Sequence, residues 1–143
     1  MRKSRLLSTL GLIAAAAAIV CAGWYLLEKR SQEKREALYV ATLRSYSGIF
    51  QAGMKRKEVE DYLRAKNIPF MRMCCVEDKT TRGVLDDLTR IGHERAPWYC
   101  SENNVYVAFQ FEGSESHTVG PTDEDSDTLT KVTLFPWLEG CLL

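Results

Sequence analysis

From Leu6 to Leu27 the chain runs for 22 residues without an Asp, Glu, Lys, Arg or His. As a helix this run is about 33 Å long at about 1.5 Å per residue, enough to cross the hydrocarbon core of a bilayer. No other segment constrains the fold as strongly. With the run placed in lipid, the 108 residues from Glu36 to Leu143 remain for a water-facing fold. They suffice for one small domain with a modest core, and are too few for two.

Three fates of the run leave different chemistry at its C-terminal side. Removal as a signal peptide asks for small residues before the cut, and Val20-Cys21-Ala22 ahead of Gly23 is an acceptable match. Lipidation asks for a small residue before the cysteine, where Val20 precedes Cys21. Both cuts strand Gly23-Trp24-Tyr25-Leu26-Leu27 as an apolar tail. Retention instead sets Trp24 and Tyr25 at headgroup depth, where amphipathic rings are favoured. The retained anchor accounts for more residues and is the expectation here.

The formal net charge of zero hides an asymmetry. Residues 1–35 carry seven Lys/Arg against two Asp/Glu, and residues 36–143 carry twelve against seventeen. A basic anchor holding an acidic domain suits anionic lipid headgroups as partner of the anchor and argues against nucleic acid as partner of the domain. Positive charge is nearly balanced across the run. A first hydrophobic segment followed by an acidic domain still favours the N-terminus inside and the domain outside a cytoplasmic membrane.

Four cysteines, Cys74, Cys75, Cys100 and Cys141, lie in the domain. An even number in a small exported domain points to bridges, and four thiols allow three connectivities. Cys74 and Cys75 are neighbours on an expected strand and point to opposite faces, which disfavours their pairing with each other. Two full pairings remain, or one bridge with two free thiols, and the alternative is four buried, inert thiols in a reducing compartment. Zinc is disfavoured because there is no C-x-x-C spacing and His93 and His117 are isolated.

Beyond the anchor, Tyr39, Leu43, Tyr46 and Phe50 recur at spacings of four, three and four, which predicts a helical stalk with one inward stripe that Gly48 ends. A short amphipathic helix follows from about Lys55 to Lys66. Its apolar face is Val59, Tyr62 and Leu63, with the charged residues mostly elsewhere, and Asn67 and Pro69 close it. FMRMCCV reads as a strand. VLDDLTRIGHE fits both a helical face through Val84, Leu85, Leu88 and Ile91 and an edge strand near Leu88 to Gly92, the latter being the expectation. NVYVAFQFE places Val105, Val107, Phe109 and Phe111 on one face, and TLTKVTLF pairs with it across a long acidic loop as an antiparallel hairpin. PWLEGCLL is apolar enough to pack back on the sheet.

Around the start of the short helix, Gly53-Met54, then Glu58-Val59, then Leu63 resemble the opening of small envelope domains of the SmpA/OmlA outer-membrane lipoprotein type, related in architecture to β-lactamase-inhibitor-like domains. The resemblance covers Gly53 to Phe70 and the strand order after it. It implies helices on one face of an antiparallel sheet and a non-catalytic role in binding other proteins. Lys55 stands where those families usually carry a capping Thr or Ser.

Candidate chemistry is sparse. Asp123, Asp125 and Asp127 alternate like the first half of a calcium loop, but Thr128 and Leu134 occupy the positions that would require Gly and Glu. Cys100 with His93 as thiolate and base, and Asp86 or Asp87 as orienter, is a combination that would suit a thiol enzyme, and no local signature surrounds Cys100. Trp98 and Trp137, each after a proline at an expected strand end, form a candidate binding patch.

The sequence therefore predicts an α+β protein: a basic tail over 1–5, a transmembrane signal-anchor over 6–27 and a helical stalk over 28–50. An extracytoplasmic domain over 51–143 follows, with helices packed on a small antiparallel sheet of three to four strands. It predicts a non-catalytic module that binds another envelope protein, with no cofactor. A tethered thiol-dependent or hydrolytic enzyme and a cytosol-facing regulator are the alternatives.

Overall fold

The computed structural model describes residues 2–74, 85–113 and 127–142, with side chains from residue 15 onward except that of Cys74. Its elements are α1 (Arg2–Ile49), α2 (Arg56–Ala65), β1 (Met71–Cys74), β2 (Leu85–Glu94), β3 (Glu102–Glu112) and β4 (Thr128–Glu139). The chain divides into two compact units, Met1–Leu38 and Tyr39–Leu143.

In the first unit, every side chain from Ala15 to Leu27 is exposed, including Ile19, Val20, Trp24 and Tyr25. Among the described residues no helix is long and apolar enough to cross a membrane. The expected span over 6–27 is thus not met within them. The stretch Ala15–Leu27 covers about 20 Å of helix at 1.5 Å per residue, and the side chains of residues 6–14 lie outside the described set.

In the second unit, four antiparallel strands form a meander in the order β1-β2-β3-β4. The residues of α1 from Tyr39 onward belong to this unit. Phe50 is buried with Val59 and Leu63 of α2 against Val107, Phe109, Phe111 and Leu129, while Leu43, Tyr46 and Tyr62 pack around them. Phe50 and Phe109 meet edge to face at 5.1 Å, and Tyr46 and Phe109 at 5.7 Å. The predicted stalk stripe and the predicted inward face of β3 are thus the two halves of one core. Because Tyr39 is itself buried and its hydroxyl donates to the His93 carbonyl at 3.2 Å, the packed unit begins twelve residues before the expected boundary at 51.

Two elements differ from expectation. β2 runs the full length of Leu85–Glu94, twice the predicted strand, and is paired on both sides. Its helical spacing of Leu85, Leu88 and Ile91 is incidental: Asp87 and Thr89 face the helices, Leu88 faces away, and the register shift between Arg90 and Gly92 resets the alternation. β4 continues through Pro136 to Glu139, past the predicted strand end at Phe135. Proline is tolerated there because β4 is an edge strand.

Candidate functional site

The α2 helix carries a face that its charge pattern disguises. Arg56, Val59, Glu60 and Leu63 are all buried, at spacings of three, one and three, so two charged residues share the apolar stripe. The expectation that α2's charges lie mostly off this face is corrected at these two positions. Lys55 has no acceptor with which to cap the helix, and the other half of the capping arrangement survives: its backbone N–H donates to Glu58 Oε2 at 2.8 Å.

Arg56 reaches the sheet. Its Nη1 donates to Asp87 Oδ1 at 2.9 Å, its Nη2 to Asp127 Oδ2 at 3.1 Å and to the Leu85 carbonyl, and its guanidinium lies 4.1 Å from the centre of the Phe111 ring. Glu60 accepts from Arg72 Nη2 of β1 at 2.6 Å and from Arg64. Asp86, facing the other way, accepts the Phe111 backbone N–H at 3.2 Å. Burial, opposed by Arg56 and Arg72 and reinforced by Glu60, raises the Asp87 carboxyl to about 7. This cluster fastens α2, β1, β2 and the start of β4 together. Its chemistry is structural, since every cation in it faces a carboxylate.

A second polar group lies at the far end of the sheet, on the face opposite the helices. Asn104 is buried and its Nδ2 donates to Glu102 Oε2 at 2.8 Å and Glu139 Oε1 at 2.9 Å, while the Tyr106 hydroxyl donates to the same Glu139 oxygen at 3.1 Å. Burial and the Glu139 hydrogen bond raise the Tyr106 hydroxyl above its ordinary range. Beside Asn104 opens a cavity of about 190 Å³ bordered by Arg90, His93, Glu94, Ser101 and Glu102.

The loop between β2 and β3 closes over this end. Cys100 is bonded to Cys141, a bridge across 41 residues of sequence. Around it Cys100 N–H donates to the Pro97 carbonyl, Ser101 N–H to the Glu139 carbonyl and Leu142 N–H to the Tyr99 carbonyl. Gly140, at φ +59° with no room for a Cβ beside Ser101, is the hinge of this closure. Held by these ties, Trp98 is 91% exposed and Leu142 76%. Trp98 and Tyr99 meet edge to face at 5.8 Å.

The residues singled out by sequence are now placed. Trp98 is presented to solvent, whereas Trp137 packs on Tyr106 with ring centres 6.2 Å apart, in the cluster of Leu88, Tyr106 and Ala108. The sulfur of Cys100 is in a disulfide, Asp87 is engaged by Arg56 and Asp86 by a backbone amide. The thiolate, base and orienter of the thiol-enzyme reading are therefore not brought together. Cys75, Asp123 and Asp125 lie outside the described residues, as does the Cys74 side chain; Asp127 is buried against Arg56. Among the described residues no group of His, Cys, Asp and Glu could hold a metal ion. Trp24 and Tyr25 are exposed on α1.

Sequence reasoning missed the burial of Arg56 and Glu60, the place opposite Arg56 of Asp87, which it named only as a candidate orienter of Cys100 and His93, and Asn104. For the first three a signal exists: Arg56 and Glu60 fall on the helical stripe of Val59 and Leu63, and Asp86-Asp87 interrupt an apolar run. Asn104 heads the second face of β3 and carries no such mark. No family model, curated protein or solved structure matches this chain.

Proposed function

We propose that this chain is a single-pass membrane-anchored envelope protein whose α+β unit is a non-catalytic module for binding another protein. The observation that carries the reading is Trp98, 91% exposed on a loop locked by the Cys100–Cys141 bridge. A large aromatic held out on a braced loop gives up little conformational freedom on contact, and such residues dominate the energy of interfaces. The bridge supports a domain outside the cytoplasm, where disulfides persist. The exposed apolar helix Ala15–Leu27, continuous in sequence with Leu6–Ala14, supports lipid as the environment of the anchor, since a helix apolar on every side is stable in hydrocarbon. The α+β architecture suits the envelope-domain resemblance of Gly53 to Phe70.

A photo-crosslinking residue at position 98 in cells producing the full chain tests the binding role. A discrete adduct that forms at 98 but not at exposed Lys131, and that Leu142→Asp abolishes, is expected; equal labelling from both positions would refute the module. Reporters active only outside or only inside the cytoplasm, fused after Leu143, test the topology.

A further inference from the structure

Two contacts fix the end at which the chain enters the Tyr39–Leu143 unit. The Tyr39 hydroxyl donates to the His93 carbonyl at 3.2 Å and the Tyr39 ring lies against Gly92, so the first residue of the unit stands beside the last residues of β2. From there α1 runs to the other end, where Phe50 packs with Phe111 and Leu129 and the Gly53 N–H donates to the Leu129 carbonyl at 2.8 Å. The β2–β3 loop, which leaves β2 after Glu94, therefore projects from the entry end. So does the C-terminal turn that Cys141 ties to it, because β4 ends opposite the start of β3. Trp98, Leu142 and Tyr99, exposed by 91%, 76% and 42%, thus stand together where the chain arrives from the apolar helix.

We propose that the partner engaged by Trp98 is an integral membrane protein, met where it emerges from the bilayer that holds the anchor, with Trp98, Tyr99 and Leu142 as the contacting surface. The proposal rests on the anchored binding module above and names the class of its partner. The length of the link selects that class. Only residues 28–38 separate Leu27 from Tyr39, and along the helix they hold the two about 18 Å apart at about 1.5 Å per residue. A folded domain of about 100 residues has a radius of gyration of about 13 Å and is wider than that space. A loop or helix end rising out of lipid is narrower and fits it. Arg90 and Arg95, exposed on β2 and its loop, suit anionic headgroups beside such a contact and offset the exposed Glu102. The bridge keeps the aromatic pair in place, so little freedom is lost when the partner arrives.

The test places a photo-crosslinking residue at position 98 in cells producing either the full chain or the full chain with about 14 helical residues inserted between Lys34 and Arg35, which moves Tyr39 about 21 Å further along the helix. The insertion lies outside Tyr39–Leu143, so the unit keeps its fold and its melting temperature. The expected result is a protein adduct whose yield falls at least fivefold with the insertion. Its partner, identified by mass spectrometry, is expected to stay in membranes washed with alkaline carbonate from cells lacking this chain. An adduct of undiminished yield, or a partner that the wash releases, overturns the proposal and leaves the binding module standing. No protein adduct at 98 above that at Lys131 removes the module itself. Label entering phospholipid in place of protein overturns both.

Discussion

The guanidinium of Arg56 lies 2.9 Å from the carboxylate of Asp87, and both side chains are at most 1% exposed. A cation on the helix and an anion on the second strand of the sheet thus meet where α2 docks, between Val59, Leu63 and Phe111. Removing one partner of such a pair strands the other in a medium that solvates charge poorly, so the pair is far more costly to break than to replace.

Arg56→Ala leaves Asp87 and Asp127 without their shared cation. It is expected to destabilise the unit by about 3–5 kcal/mol in urea denaturation. Arg56→Met combined with Asp87→Leu, which removes both charges, is expected to recover most of that loss. Equal losses in the single and double variants would show that the charges are not coupled.

The Asp87 carboxyl, raised from 3.8 to about 7 by burial, makes its own contribution to the dependence of stability on pH. A folded-state value above the unfolded one means that the protonated form favours the fold. This contribution is complete below the unfolded value and is lost as the pH climbs through about 7. The melting temperature is therefore expected to fall from about pH 4 to about pH 7 and to level off above that, and Asp87→Asn to flatten that slope. Identical pH profiles for the two proteins would contradict the assignment.

Gly92 is held to glycine by a neighbour, since a Cβ built there would stand 2.5 Å from the Tyr39 ring. Gly92→Ala is expected to cost about 1–3 kcal/mol, as overpacking does, and to break the Tyr39 hydrogen bond to the His93 carbonyl. In a Tyr39→Leu background the same substitution should cost much less, which a double-mutant cycle in urea measures.

Replacing both Cys100 and Cys141 by serine is expected to cost about 3 kcal/mol through the freed chain between them. Amide exchange should quicken first at Cys100, Ser101 and Leu142, whose N–H bonds the bridge keeps closed. Trp98→Ala, by contrast, should shift stability by no more than about 0.5 kcal/mol, because the ring is almost wholly in solvent.

The uncharged run Leu6–Leu27, the stripe Tyr39-Leu43-Tyr46-Phe50, the helix after Lys55 and the alternation of β3 are all properties of residues close in the chain. Period and composition settle them, so the sequence alone determined an α+β unit behind an apolar helix. What only the tertiary structure decided concerns groups brought together from far apart. Asp87 is tolerated inside β2 because Arg56, 31 residues earlier, arrives opposite it. Cys100 takes Cys141 because β3 and β4 carry their ends into register, with Glu102 opposite Glu139. Asn104 is tolerated inside β3 because Glu139 of β4 joins Glu102 in accepting from its nitrogen. A polar side chain in an apolar run reads locally as exposed; whether it is buried depends on a partner whose distance along the chain no periodicity encodes.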